Sequence, residues 1–219
     1  ILGNRLYKYV PETSDISFVT LPYLTGCIAP HKEGGLIAGM NNGIVRLNPE
    51  NGEFDMMVEL FDSADSLRMN DGKCDPLGRF WLGTLASDSD NPNACLYRYD
   101  PDGTLTIMKD KVGISNGLDW DLSRKCMYYT DSGKECSMWR YDYDHISGHI
   151  SNPHKIFPNT SYPDAIPDGL TLDAAGNIWS AVWDGGCIVC LSPDGEIIQR
   201  IPFDTPRITS CAFGGDDLQ

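Results

Sequence analysis

Arg68-Met69-Asn70-Asp71-Gly72, Ser115-Asn116-Gly117-Leu118 and Pro167-Asp168-Gly169-Leu170 fall at the same phase of a repeat of roughly fifty residues. The steps from Asn70 to Asn116 and from Asn116 to Asp168 are nearly equal. Each motif precedes a run that reads as a β-strand, and each places an Asn or Asp at its mouth. In a radially repeated fold, equivalent positions converge on the central axis. Three oxygen-bearing side chains from three repeats then point into one pocket.

Two further sets of marks repeat with them. Asn48-Pro49-Glu50-Asn51-Gly52, Asp100-Pro101-Asp102-Gly103, residues 142–148 and Ser192-Pro193-Asp194-Gly195 lie half a period out of step. Pro presets φ, Asp or Asn caps its own backbone, and Gly accepts a positive φ, so these stretches read as turns. Asp75-Pro76-Leu77-Gly78, residues 121–125 and Asp173-Ala174-Ala175-Gly176 read as hairpin turns. Between them lie short runs such as Phe80-Trp81-Leu82-Gly83-Thr84, residues 126–130 and Ile178-Trp179-Ser180-Ala181-Val182. These are rich in aromatic and β-branched residues, as strands are. No helical period extends beyond about two turns.

Four strands in a repeat of about 45–50 residues mark a β-propeller blade. Blades begin near Thr25, Asn70, Gly117 and Gly169, with a fifth near Thr209. Residues 1–22 read as the outer two strands of one blade, and residues 209–219 as the first strand of another. The expectation is an all-β, six-bladed propeller of four-stranded antiparallel blades, four full and two partial, forming a single domain over 1–219. A β-sandwich is the competing architecture, and the strict recurrence of three turn types argues against it.

Composition narrows the function. The 219 residues suffice for one substantial core. No apolar run approaches 18 residues, so no membrane span is expected, and no secretory apolar segment opens the chain. A net charge of −14 argues against nucleic acid as a partner. The eight cysteines are scattered along strand-like runs (Cys27, Cys74, Cys126, Cys187, Cys190, Cys211) and read as small buried hydrophobes with free thiols. That usage favours a reducing, cytoplasmic setting. Cys187 and Cys190, three apart in a strand, face opposite sides. None of the four histidines shares a metal-ligand spacing with another His or a Cys; His145 and His149 fall in a turn. An oxygen-ligated cation suits this chain better than a His-rich zinc site. Asn159-Thr160-Ser161 matches a glycosylation sequon and is assigned no role.

Taken singly, Asn-Gly and Pro-Asp-Gly are turn formers. Their shared phase, at the entry to the innermost strand, points instead to a common site. Arg68, two residues from Asn70, lies on the same strand face. An Arg fork, a carboxylate and two amides in one pocket are costly to desolvate unless a ligand or metal uses them.

Arg68-Met-Asn-Asp-Gly-Lys-Cys-Asp-Pro-Leu-Gly-Arg-Phe-Trp-Leu-Gly-Thr84 resembles the best-marked segment of the regucalcin/gluconolactonase family, which includes the luciferin-regenerating enzymes. Ser115-Asn-Gly-Leu-Asp-Trp120 with Tyr128-Tyr-Thr-Asp131, Pro167-Asp-Gly-Leu-Thr-Leu-Asp-Ala-Ala-Gly-Asn-Ile-Trp179 and Thr209-Ser-Cys-Ala-Phe-Gly-Gly215 resemble its later segments. The resemblance spans essentially the whole chain, in order. It implies a six-bladed propeller with one divalent cation on its axis, held by Asn116 and Asp168. Ca²⁺ is the foremost candidate, with Mg²⁺, Mn²⁺ and Zn²⁺ as alternatives. The family's third ligand, a Glu in a Gly-Glu-Gly-Pro-like motif, has no match here and would lie before Ile1; the chain reads as truncated at both ends. Arg68 and Asn70 match substrate-binding positions. A further substrate-side Glu of some members has no match around 87–93.

The resemblance implies a metal-dependent lactonase acting on a sugar lactone, a small-molecule partner. Asp168 would bind the metal and take a proton from the attacking water. Arg68 and Asn70 would orient substrate hydroxyls and meet the developing oxyanion. No G-x-S-x-G elbow is present, and this chemistry needs none. The alternative is a non-catalytic divalent-cation or small-molecule binding protein on the same propeller. The sequence leaves the oligomeric state open.

Overall fold

A computed structural model describes residues 3–62, 66–86, 93–134, 136–157 and 166–215. The described residues are all-β. A two-stranded hairpin of β1 (Arg5–Val10) and β2 (Asp15–Thr20) comes first. Four four-stranded antiparallel sheets follow in chain order. The first holds β3 (Thr25–Pro30), β4 (Leu36–Met40), β5 (Gly43–Leu47) and β6 (Phe54–Glu59). The second holds β7 (Leu67–Cys74), β8 (Phe80–Ala86), β9 (Ala94–Tyr99) and β10 (Leu105–Val112). The third holds β11 (Ser115–Asp121), β12 (Cys126–Asp131), β13 (Ser137–Asp144) and β14 (His149–Phe157). The fourth holds β15 (Ile166–Leu172), β16 (Ile178–Trp183), β17 (Cys187–Leu191) and β18 (Ile197–Pro202).

Within each sheet the strands are paired in sequence order, and the first strands β3, β7, β11 and β15 lie side by side from sheet to sheet. This is the β-propeller read from the repeat: each sheet is a blade, and its first strand faces the axis. The hairpin β1–β2 is the expected pair of outer strands. One expectation needs correcting. Residues 209–215 form no strand, and Cys211 therefore lies outside any ladder. Thr209 is nevertheless docked beside β15, its carbonyl accepting from Gly169 N at 2.9 Å. The Asn159–Ser161 sequon and residues 87–92 lie outside the described residues.

The core sits between blades. Cys27, Ile37, Met69, Phe80 and Leu82 join the first two blades. Trp81, Leu118, Trp120, Met127, Tyr129 and Tyr143 join the second and third. Tyr128, Met138, Leu170, Ile178, Val182 and Val189 join the third and fourth. Because the apolar side chains are used between the sheets, the axis is free for polar ones. The eight cysteines are free thiols, and Cys27, Cys126, Cys187 and Cys190 are buried. Cys187 and Cys190 are both buried although three apart, because blade faces on both sides of β17 are covered.

The turns between the first and second strands of the second, third and fourth blades are built alike. Asp75, Asp121 and Asp173 each bend back to cap their own turn. Asp75 goes furthest. Its carboxylate accepts from Arg79 Nε (2.5 Å), Tyr143 Oη (2.8 Å) and Trp81 Nε1 (3.1 Å). Arg79 in turn donates to the His145 and Ile146 carbonyls, which clamps the second blade to the third. Every charge in this buried cluster has a partner, the condition under which a buried ion pair is tolerated.

Candidate functional site

All the inner strands bulge at the same place. Met69 pairs with Thr84 and Gly72 with Leu82, so Asn70 and Asp71 together face Gly83. Asn116 and Gly117 likewise face Thr130, and Asp168 and Gly169 face Ala181. In β3 the extra residue is Gly26. One additional residue per strand turns the Asn or Asp toward the axis and breaks the pairing there. The neighbouring glycines allow the strands to crowd together. A Cβ on Gly117 would stand 2.7 Å from the Asp168 carbonyl oxygen, and one on Gly26 would stand 2.7 Å from Asn70 N. The Asn-Gly and Asp-Gly pairs are therefore bulges at the axis and not the turns that each motif suggests when taken singly.

The bulges open into a cavity of about 460 Å³ lined by Arg68, Asn70, Asn116 and Asp168. The structure thus brings together all four residues singled out from the sequence. Arg68 Nη1 donates to Asn70 Oδ1 (2.8 Å) and to the Met69 carbonyl (3.0 Å). Asn70 Nδ2 donates to Asn116 Oδ1 (2.8 Å) and to the Ser115 carbonyl (2.7 Å). Asn116 Nδ2 donates to Ser132 Oγ (2.8 Å), and Ser132 donates to the Pro167 carbonyl. The direction of this relay is fixed from both ends. A guanidinium only donates and a carbonyl only accepts, so each amide between them has one workable orientation. Asn116 Oδ1, held by one donor, keeps a second lone pair for a ligand.

Asp168 completes the group. Burial chiefly, and then the nearby Asp71 carboxylate, push its pKa up to about 7; the Gly169 N–H and Arg68 pull the other way. Burial likewise raises Asp71, against the Gly72 N–H and Lys73. Arg68 is lowered by its own desolvation and supported by Asp168. Two carboxylates that line one partly closed pocket are relieved by a positive charge. The donors on offer, the Asp168 carboxylate and Asn116 Oδ1, are hard oxygens, and among the described residues no His or Cys lines the cavity. This set fits a hard cation such as Ca²⁺ or Mg²⁺ that completes its shell with other oxygen ligands. Among the described residues no three of His, Cys, Asp and Glu come together.

Several lining residues were not singled out from sequence. Asp71 occupies the position held by Gly117 and Gly169 in the following blades; that exchange, legible in the three motifs, was its signal. Strict alternation would turn Asp71 away from Asn70, and the bulge is what admits both. Ser132 enters from the loop after β12, where Asp131 accepts from the Ile114 and Gly133 amides and fixes its placement. Trp183, Ile166, Leu85 and Ile114 supply an apolar wall, and Thr209 and Ser210 reach in from beyond β18.

This combination of axial cavity, amide relay and oxygen donors accompanies a chain that belongs to the SMP-30/gluconolactonase/LRE-like family, which it matches over residues 1–219. It is 35% identical over 218 residues to pentonolactonase XacC of Haloferax volcanii, covering 100% of this chain and 72% of that protein. It is 34% identical over 219 residues to a 6-deoxy-6-sulfogluconolactonase of Pseudomonas putida, covering 100% of this chain and 75% of that one. The structure superimposes on a luciferin-regenerating enzyme with a TM-score of 0.90 at 31% identity, over 98% of this chain and 74% of that chain.

Proposed function

We propose that this chain hydrolyses a sugar lactone with the help of one divalent cation at the propeller axis. The observation that carries the reading is Asp168: a carboxylate pushed up to about 7, sharing a cavity with Arg68 and the Asn70–Asn116 pair. Two relatives above one-third identity carry lactonase names, and this supports the substrate class. Asp168 and Asn116 would hold the cation, Ca²⁺ first among candidates. When bound, it would supply a Lewis acid for the carbonyl and a more acidic water.

The chain's own groups account for the rest. Asp168 takes a proton from the attacking water, whose oxygen joins the lactone carbonyl carbon. The ring C–O bond then breaks, its oxygen leaves with a proton, and an open-chain hydroxy acid results. Arg68 keeps N–H groups beyond those spent on Asn70 and Met69. Arg68 lines the cavity, and these groups would meet the negative charge that grows on the carbonyl oxygen. Asn70, pinned between Arg68 and Asn116, sets the spacing of the two sides. We read residues 1–219 as one propeller domain, and the free thiols support a cytoplasmic setting. The net charge of −14 disfavours nucleic acid, and no described helix is long and apolar enough to cross a membrane.

A second reading, cation or small-molecule binding without turnover, draws on the small number of protein ligands among the described residues. Turnover of D-glucono-1,5-lactone with and without a chelator separates the two. Hydrolysis that stops on chelation and returns with Ca²⁺, Mg²⁺, Mn²⁺ or Zn²⁺ supports the proposal. Hydrolysis indifferent to chelation overturns the metal role, and its absence with every cation leaves the binding reading.

A further inference from the structure

The bulges place equivalent residues of three blades in two more rings around the cavity. Arg68, Ile114 and Ile166 stand two positions before Asn70, Asn116 and Asp168. Opposite them stand Leu85 and Trp183 on the second strands and Ser132 just after β12, through the pairs Arg68–Leu85 and Ile166–Trp183 and the bond from Ser132 N to the Ile114 carbonyl. All six line the cavity. Only one of them is aromatic. Trp183 stands on the strand next to Asp168's own and is half-buried, and Arg68, Asn70 and Asn116 line the same pocket from the second and third blades.

The indole is also held. The Arg207 guanidinium lies over its ring, 5.0 Å from the centroid, and Arg207 Nε is fixed by Asp184 Oδ1 at 2.9 Å. Trp183 lines the cavity and Arg207 does not. The backbone around this stack is tied as well. Gly186 N donates to the Pro206 carbonyl at 3.0 Å, and Phe203 N donates to the Gly186 carbonyl at 2.8 Å. The segment that carries Arg207 continues directly to Thr209 and Ser210 in the cavity. A cation over one face and a packed turn behind it make the indole a rigid surface. Rigid aromatic surfaces of this kind bind ligands at low entropic cost.

We propose that Trp183 is the platform on which the C–H face of a sugar ring lies while its carbonyl faces Asp168 and Arg68, and that Arg207 is a positioning residue for that platform. The inference rests on the lactonase reading for its substrate and on the cavity wall for its geometry. Hydroxyls of a pyranose or furanose point outward from the ring and leave an apolar face. The polar groups from the second and third blades suit the hydroxyls, and Trp183 suits that face.

The test uses two readouts. In steady-state hydrolysis of D-glucono-1,5-lactone, Trp183→Leu raises KM about tenfold with kcat within about twofold, and Trp183→Phe restores KM to within about threefold of wild type. Arg207→Ala raises KM by about twofold to threefold and leaves kcat unchanged. In parallel, 1,5-anhydro-D-glucitol, the ring without the lactone carbonyl, is titrated while the Trp183 indole N–H signal is followed by NMR, assigned by its loss in Trp183→Phe. A selective shift of that signal supports the platform even in a protein that fails to turn over the lactone, and so separates it from the hydrolase reading. An unmoved signal, an unchanged KM in Trp183→Leu, or equal losses in kcat and melting temperature overturn it.

Discussion

Asn70 Nδ2 and Asn116 Oδ1 meet at 2.8 Å across two blades, and the relay from Arg68 to the Pro167 carbonyl runs in one direction through that contact. Asn70→Asp keeps the shape and reverses the chemistry: an oxygen replaces the donor that Asn116 Oδ1 needs. An unmet buried acceptor costs about 1–3 kcal/mol. The expected result is a fall in kcat/KM of roughly tenfold to a hundredfold, with the melting temperature lowered by a few degrees. Kinetics and a thermal melt on the same preparation check this, and wild-type kcat/KM means that the relay has no part in the site.

Arg68→Ala separates substrate from cation. Arg68 carries only donors and cannot ligate a metal, so its loss should lower kcat/KM at least tenfold and leave Ca²⁺ affinity within about twofold. Calorimetry with Ca²⁺ beside the lactone assay measures both. A matching loss of cation affinity assigns Arg68 to the scaffold of the site instead.

Much of this was legible in the chain. Asn70, Asn116 and Asp168 announced themselves by phase, and Arg68 by its two-residue step from Asn70. The sheets followed from the recurring Asp-Pro-x-Gly and Pro-Asp-Gly turns. What the chain did not display was the bulge. Period-two alternation places Asp71 on the face away from Asn70, and only an extra unpaired residue brings both to one cavity. Ser132 and Trp183 were hidden for another reason. Trp183 ends a second strand and Ser132 follows one, and only the pairing with the inner strands carries them to the axis. Residues 209–215 read as a strand because their composition suits one. Pairing is decided by a neighbour, and the sequence of a single segment does not contain it.

The Asp168 carboxyl gives the cation-free protein a pH dependence of definite sign. It titrates near 7 in the folded chain and near about 3.9 when unfolded. Between those values the folded state binds more protons, so this group's contribution to stability falls as pH rises from about 4 to 7 and is level above. In chelator, the melting temperature of wild type minus that of Asp168→Asn should therefore decrease across that window. A difference that stays constant from pH 4 to 8 contradicts the raised pKa.

The Asp75–Arg79 cluster makes a prediction about stability alone. Arg79→Met leaves the Asp75 carboxylate buried with two neutral side-chain donors, Trp81 and Tyr143, and no charge to balance it. Breaking such a pair costs about 3–5 kcal/mol. Denaturant unfolding should show a loss of that size, while the KM of the folded variant stays unchanged. A loss below about 1 kcal/mol, the range of a surface pair, places the clamp among exposed contacts.

The claim that a carboxylate at the axis both holds the cation and serves as base is tested most directly by one rate. Lactone hydrolysis by Asp168→Asn, at saturating Ca²⁺ and compared with wild type, should fall by about a thousandfold, with a melting temperature in chelator at neutral pH no lower than wild type. A folded Asp168→Asn that hydrolyses the lactone within about tenfold of the wild-type rate contradicts the account, because Asp168 would then be neither the base nor a needed ligand.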